Sequence, residues 1–587
     1  VIGWEYVNVR QIFDTDWKLW KESSEGADIM GEIKIPIGRS SFADIRKNRY
    51  YYIDKSGLIK SLLKTDGTQV TLLTRPRRFG KTLNMYMLAE FFDIRKDSRA
   101  LFEGLSISEE KELCRKWMNQ YPVLFLSFRT VDGLSFEKAY AMLAAVLART
   151  CQEHLYLLES EKVNSYEKEV FHRIASKTAI QEEVENGLQL LARMMSVYHN
   201  KPVILLMDEY DVPLAKASEK GYYPEMLEVV KGIMQTIKDN TSLKFAVITG
   251  CLRIAKESIF TGTNNFVSDT INDTGLNEYF GFTQAEVDRL LQDTGLTEHA
   301  ERLRDWYDGY HFGNYDVYCP WDVMNHVKDL MLDPSAEPKN YWENTSDNSI
   351  IRTFLKRTDF DVHDKFETLL SGGSVRENIT DQLTYDMLTS SEENLWSLLY
   401  LTGYLTRMRK DDPAGDCLQP GQTALRIPNK EIRSIFQKSV KAWFTEVSQE
   451  SSRDELFAAL WNGDTEKLTV LLSDLLFDTI SYFDYRESFY HAFLTGLVSG
   501  AGYQVESNCE NGLGRSDLVI RDRRNRRAVV IEAKWTDSEK KLEQECEEAL
   551  RQIADRQYAK KVERSGYRQV LSLGIAFFKK QCLVRKE

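Results

Sequence analysis

Short apolar runs alternate with stretches of helical spacing through the first half of the chain. Residues 69–74 (QVTLLT), 122–128 (PVLFLSF), 202–207 (PVILLM) and 244–248 (KFAVI) are nearly continuous apolar segments, of the length expected for buried strands. The first is followed by RPRRFGKT and then by LNMYMLAEFFDI, whose apolar spacing suits a buried helix. Strands alternating with helices predict an α/β, doubly wound parallel sheet with ligand at the carboxyl ends of the strands. Residues 340–440 read largely as helix. Within them ENLWSLLYLTGYL, TRMRK, a loop of Asp, Pro and Gly, TALRIPN and KEIRSIFQKSVKAWF run helix, strand, strand, helix, the order of a winged-helix-like unit. From Glu487 onward a helix (ESFYHAFLTGLVSGAG) precedes strands YQVES, SDLVIR and AVVIEAKW, with the basic turn DRRNRR closing a hairpin between the last two.

Composition narrows the class. At 587 residues the chain is too long for one hydrophobic core, and it is divided into an N-terminal extension (1–32), an α/β unit (33–290), a helical portion that includes the winged-helix-like part (291–470) and a C-terminal α/β unit (471–587). The chain is 42% hydrophobic and 28% charged, as in soluble globular proteins, and no run approaches the roughly 20 apolar residues of a membrane span. The opening VIGWEYVNVRQIFDTDWKLW lacks a basic start followed by an apolar core, so it does not read as a secretion signal. Eight cysteines are scattered without CxxC pairs, which argues against a zinc site or a disulfide framework and for a reducing cytosol. The net charge of -12 argues against a chain coated for nucleic acid, while a local basic patch can still bind phosphates.

The junction FGKT has the parts of a phosphate-binding loop. Gly80 permits a tight turn, the backbone N–H groups of a helix N-terminus face phosphate, Lys81 reaches the terminal phosphates and Thr82 offers a hydroxyl to Mg²⁺. The first glycine of GxxxxGK[ST] is replaced by Arg75; Arg75 and Arg78 are counted with Gly80, Lys81 and Thr82 as nucleotide-binding candidates. The strand 202–207 ends in Asp208 and Glu209, where one carboxylate can hold the Mg²⁺ shell and the next can polarise the attacking water. Acidic caps on a following helix are the alternative for that pair alone. After 244–248, Thr249 is a candidate sensor of the terminal phosphate, and Arg253 either reaches the phosphate or pairs with an acidic neighbour.

PIGRSSFADIRKNRYYYIDKS (36–56), TRPRRFGKT (74–82), MDEYDVP (207–213), ITGCLRIAKESIF (248–260) and WYDGYHFG (306–313) together resemble the AAA-ATPase-like family found mostly in bacteria and archaea. In that family RPRRFGK[ST] stands in place of the glycine-first loop. The resemblance, over roughly residues 33–330, implies ATP binding at Lys81, Thr82, Asp208 and Glu209, and extends to Thr249 and Arg253. Asp54 and Lys55 match a further pattern of the family that suggests no role by itself.

In the C-terminal unit the centre of the hairpin turn falls between Arg524 and Asn525, so Asp517 and Glu532 pair across the two strands, and Lys534 shares the face of Glu532. Such a cluster is costly on a core sheet unless a cation takes the carboxylates. Mg²⁺ bound by Asp517, Glu532 and the Ala533 carbonyl would activate a water, with Lys534 orienting that water or the leaving phosphate. A solvent-facing salt bridge is the plainer alternative for the triplet. GLGRSDLVI followed by VVIEAKW resembles the PD-(D/E)XK nuclease superfamily over roughly 474–580, with Asp517, Glu532 and Lys534 in the motif positions. The resemblance implies an auxiliary acid at Glu487 and a supportive pair at Gln552 and Tyr558. The run RDRRNRR, five arginines in seven residues, is placed beside this centre as either a DNA-backbone contact or a solvated tip.

The aromatic stretch 306–327 reads as a packed junction or a substrate pocket, and the winged-helix-like portion as a lid on the nucleotide or a DNA reader. The combined expectation is an ATPase with Mg²⁺ that licenses a Mg²⁺-dependent nuclease on DNA. The alternative is a nucleotide-dependent switch or scaffold that binds nucleic acid or protein without cutting. Oligomeric state stays open.

Overall fold

The computed structural model describes residues 33–587 except 65–68, 239, 254–265, 343–362, 382, 384, 386–387, 389, 410–411, 413–420, 440–452, 480–489, 491–492, 496, 499–502, 512–513 and 556. Glu487 and the extension 1–32 lie outside the described residues.

Four of the strands follow the apolar runs closely: β1 (Val70–Thr74), β2 (Val123–Ser127), β3 (Val203–Asp208) and β4 (Leu243–Gly250). A short β5 (Phe266–Asp269) joins them in a five-stranded sheet ordered β2-β3-β4-β1-β5, every pairing parallel. Alternate residues serve opposite faces. Leu72, Leu124, Leu205 and Ile248 enter one core with helices that include Phe136–Gln152 and Gly187–His199. Leu73, Val123, Ile204 and Val247 enter another with Phe42–Lys47, Gly57–Lys64 and α1 (Lys81–Phe92). Both faces are covered, which is why the strands carry no polar alternation.

The DK pair at 54–55 is structural. Asp54 accepts the amides of Ser56 and Ser106 at 2.8 and 2.7 Å. Lys55, buried, donates to both oxygens of Glu286 at 2.7 Å and to the Glu278 carbonyl at 2.8 Å. Glu286 in turn closes the capping box of α2 (Gln284–Thr294) on Thr283. The N-terminal segment is thereby clamped to α2, and Ile53, Val287, Leu290 and Leu330 share one apolar cluster. The expected division at 290 falls inside α2, and this cluster runs across it.

A hairpin β6 (Tyr310–Phe312) and β7 (Tyr315–Val317) leads into α3 (Pro320–Leu332). The winged-helix-like order is present: α4 (Glu392–Leu401), then strands that pair antiparallel, then a helix at 430–439. A further strand, β8 (Val375–Asn378), pairs with β10 (Gln422–Arg426), which pairs with β9 (Thr406–Arg407), giving a three-stranded sheet.

The C-terminal sheet is mixed and ordered β11 (Gln504–Asn511), β12 (Gly514–Asp522), β13 (Arg527–Trp535), β14 (Gln569–Phe578), β15 (Gln581–Lys586). Only the β13–β14 pairing is parallel, its crossover supplied by α5 (Leu542–Asp555) and α6 (Tyr558–Arg564). One face, with Leu518, Ile520, Val529, Ile531 and Ile575, packs on helices Arg453–Asn462 and Thr465–Thr479. The Thr469 hydroxyl accepts the Val584 amide at 3.0 Å. The division expected at 470 therefore also falls inside a helix, one whose apolar side belongs to the C-terminal core. Among the described residues no helix is long and apolar enough to cross a membrane.

Candidate functional site

The loop between β1 and α1 turns twice through the left-handed region, at Arg78 (φ 73°) and Gly80 (φ 84°). Gly80 caps α1, and the helix's first internal bond runs from the Asn84 amide to the Gly80 carbonyl at 3.0 Å. The amides ahead of it have no acceptor within the helix, the arrangement that receives anions. Lys81 is 6% exposed and donates to the Arg75 and Pro76 carbonyls at 2.8 Å each. Its ammonium spans the loop, with Cys251 Sγ at 3.8 Å.

Asp208, fully buried at the end of β3, accepts from three hydroxyls. Thr82 donates at 2.9 Å and Ser127 at 3.4 Å to one oxygen, and Thr249 at 2.6 Å to the other. Carboxylate and Thr82 hydroxyl together form the hard oxygen donor set that Mg²⁺ takes beside a phosphate, so the residues present fit the ion. Next to it Glu209 is held in the left-handed region at φ 53°, its amide 3.4 Å from the Thr249 hydroxyl. A non-glycine residue kept there costs about 1 kcal/mol or more, and such strain gathers at functional sites. Burial, and then the Asp208 charge, push the Glu209 carboxyl above its ordinary value, which makes it a stronger base.

Arg75 is placed otherwise than expected. Its guanidinium, 0% exposed, donates to the Thr74 and Asp269 carbonyls at 2.8 Å, pairs with the Asp269 carboxylate and lies 4.9 Å from the Phe280 ring. It ties the loop to β5, and a phosphate would have to displace Asp269 to reach it. Arg253 lies near Asp381, opposing the rise that burial imposes on that carboxyl, and makes no hydrogen bond to the Asp208 cluster among the described residues.

Three participants escaped the sequence reading. Ser127 ends β2 as Asp208 ends β3, and the strand-end position was the available signal. Asp211, three residues past Asp208, accepts the Cys251 and Leu252 amides at 2.9 and 3.1 Å and the Tyr385 hydroxyl at 3.1 Å. Tyr385 comes from 174 residues away, so no local pattern reveals it.

The middle region rests on the loop itself. Phe79 is buried between Tyr310 and Phe312, with ring centroids 5.0 Å apart in both pairs. The Arg78 guanidinium sits 4.3 Å from the Trp321 ring. The aromatic stretch is thus a packed junction against the loop, and His311 within it bonds Asp316 at 2.9 Å.

In the C-terminal unit Asp522 pairs with Arg527 and Leu518 with Ile531. The next step along both strands is Asp517 and Glu532. The Asp517 side chain lies outside the described residues. Glu532 is 2% exposed, with Lys534 Nζ 3.9 Å from its Oε1. Glu532 shares its face with Ala528 and Val530, which pack with Tyr558 and Ile553, while Leu542, Cys546 and Ala576 form a separate small cluster. Tyr558 is packing, and Gln552 is half-buried on α5. Among the described residues no three acidic, His or Cys side chains gather as a metal site. The basic turn stands apart from Glu532: Arg527, its last arginine, is five positions from it along β13, about 17 Å at the rise of a strand. Arg527 is committed to Asp522 at 2.9 Å and to the Trp461 ring at 4.4 Å, leaving Arg523, Arg524 and Arg526 exposed.

Two family models match the regions that hold Asp208 and Glu532. A family model described as "Predicted AAA-ATPase" matches residues 36–260, and one described as "PD-(D/E)XK nuclease superfamily" matches 485–587. A protein of Azotobacter chroococcum mcd 1, described as "Uncharacterized protein in vnfD 5'region", is 25% identical over 564 residues, which cover 93% of this chain and 97% of that one. The structure of the Aeropyrum pernix ORC2 protein in ADPNP-ADP complexes matches at 12% identity over 71% of this chain and 98% of that chain, with a TM-score of 0.22, too loose a superposition to carry an argument. The chain joins an N-terminal AAA-ATPase-like domain to a C-terminal domain of the PD-(D/E)XK nuclease superfamily.

Proposed function

We propose that the chain is an ATPase that hydrolyses ATP between Lys81 and Glu209 and thereby governs a C-terminal nuclease acting on DNA in the cytoplasm. The observation that supports it most is the carboxylate pair at the end of β3: Asp208 fixed by three hydroxyls, one from the helix that follows the loop, beside a strained Glu209. In this reading Lys81 exchanges its loop carbonyls for the outer phosphates, and Thr82 with Asp208 would hold Mg²⁺, which neutralises phosphate charge. Glu209 takes the proton of a water as its oxygen bonds to the terminal phosphorus and the bond to the departing ADP oxygen breaks. Thr249, bonded to both Asp208 and the Glu209 amide, keeps those two groups in register.

At the second centre Asp517, Glu532 and the Ala533 carbonyl would hold Mg²⁺, which supplies an activated water for phosphodiester hydrolysis. Lys534, on the same face as Glu532, orients the water or stabilises the phosphate. Glu487 and Gln552 are assigned supporting places. The middle region is assigned as the lid, because its aromatic residues pack on Phe79 and Arg78 of the loop. That same packing favours the second reading, a nucleotide-dependent switch whose C-terminal domain binds without cutting.

The test incubates the protein with supercoiled and linear DNA and Mg²⁺, with and without ATP, beside Lys81→Ala and Lys534→Ala. Cleavage abolished in Lys534→Ala and altered by ATP only when Lys81 is present is the expected result. ATP turnover without cleavage under any condition would leave the switch.

A further inference from the structure

Two arginines stand at the mouth of the nucleotide site without an ion-pair partner among the described residues. Arg78, in the loop, has its guanidinium held 4.3 Å from the Trp321 ring. Arg129 follows β2, where the backbone is fixed against the carboxylate cage. The Phe128 amide donates to the Asp208 carbonyl at 3.0 Å, and the Ser127 hydroxyl that donates to the Asp208 carboxylate accepts the Arg129 amide at 3.4 Å. The Arg129 side chain is exposed and makes no hydrogen bond or ion pair among the described residues. Its charge nonetheless reaches inward, opposing the rise of the Glu209 carboxyl and adding to burial in depressing Arg78.

Two like charges kept together at the edge of a site are unfavourable until a polyanion lies between them. The layering of the site says which part of the polyanion that is. Lys81 and the α1 amides belong to the loop and the start of its helix, whereas Arg129 follows the strand end that is bonded to Asp208, the neighbour of Glu209, on the side where the reading above puts the attacking water. A group on that side meets the outermost phosphate. Guanidinium bonds to phosphate oxygens are charge-assisted and geometrically demanding.

We propose that Arg129 and Arg78 clamp the terminal phosphate, that Arg129 is the residue distinguishing a triphosphate from a diphosphate, and that turnover therefore needs no arginine from a second copy of the chain. The inference rests on the nucleotide-site reading above. Arg78 is held by Trp321, while Arg129, exposed, is the half that closes on the ligand. Its guanidinium takes up charge on the transferred oxygens, a contribution that raises turnover on the order of 10³-fold or more in phosphoryl-transfer enzymes.

The test measures equilibrium binding of Mg-ADP and of a non-hydrolysable Mg-ATP analogue, and ATP turnover over a range of protein concentrations, for the full chain, Arg129→Ala and Arg129→Lys. Arg129→Ala is expected to lose about tenfold or more of the preference for the triphosphate while keeping its ADP affinity. Its turnover falls on the order of 10³-fold, Arg129→Lys recovers part of both, and turnover per chain stays constant on dilution. Unchanged preference and turnover in Arg129→Ala, with the unaltered chain binding both nucleotides, overturns this inference alone, as does turnover per chain that drops on dilution. An unaltered chain that binds neither nucleotide overturns the nucleotide-site reading itself.

Discussion

Three hydroxyls on one buried carboxylate leave Asp208 little freedom, and Thr249 makes the shortest of those bonds. Thr249 also accepts the Glu209 amide, so a single side chain couples the Asp208 carboxylate to the Glu209 backbone. Thr249→Val keeps the shape and removes both interactions. A lost hydrogen bond to a charged group is worth about 1.5–3 kcal/mol, and the expected outcome is an ATP turnover reduced at least tenfold with ADP affinity within about twofold. A steady-state assay beside a binding titration checks it, and equal turnover would remove Thr249 from the site. This residue was legible in the sequence because it ends an apolar run. Arg75 was misplaced for the converse reason: its direction is decided by Asp269 on β5, a strand of four residues whose apolar signal is too weak to predict.

At the scale of elements, continuous apolar strands announced themselves and contact-dependent ones did not. β8, with the sequence VREN, has no alternation to betray it and exists through its pairing with β10. The C-terminal hairpin register was legible because a symmetric turn fixes it, and the same count sets that turn well apart from Glu532. A buried carboxyl pair joins two elements of the middle region: Asp322 in the first turn of α3 and Glu431 in the helix at 430–439. The Trp342 amide donates to Glu431 at 2.8 Å. Burial raises both carboxyls, and at Glu431 the Asp322 charge adds to it. Cys319, Arg78, Tyr307, Tyr310 and Tyr341 also face the pair. A raised native value means that the folded chain holds protons the unfolded chain has lost above about pH 4. The contribution is therefore full at acid pH and lost as pH climbs through the raised values. Melting temperature is expected to fall from about pH 5 to about pH 9, and to fall less in Glu431→Gln, which keeps the Trp342 bond. Identical pH slopes in the two proteins would refute the pair's role.

Across the whole molecule, a net charge of -12 opposes approach to nucleic acid, so binding depends on where positive charge is concentrated. The hairpin tip concentrates Arg523, Arg524 and Arg526, about 20 Å or more from Glu532. If they contact a DNA backbone, replacing all three with Ala lowers the salt slope of binding by up to about 2.7, at roughly 0.9 per phosphate contact. The rate of cleavage by bound protein stays unchanged. Titration of DNA affinity against salt measures the slope, and an unaltered value assigns the tip to solvent. The two ends of this domain then have separate duties, holding and cutting, which a substitution at either end can part.

Phe79 is a residue of the loop between β1 and α1 and, equally, a core residue of its neighbour. Any rearrangement of that loop on filling is consequently a deformation of a packed aromatic cluster, and part of the intrinsic affinity for nucleotide is consumed in carrying it out. The junction behaves as a stiff spring loaded by the ligand. Phe79→Leu, which softens that spring, is expected to bind nucleotide more tightly than the unaltered chain while transmitting less of the binding to the regions downstream, an exchange of communication for affinity that a paired measurement of ATP binding and ATP-dependent DNA cleavage would expose.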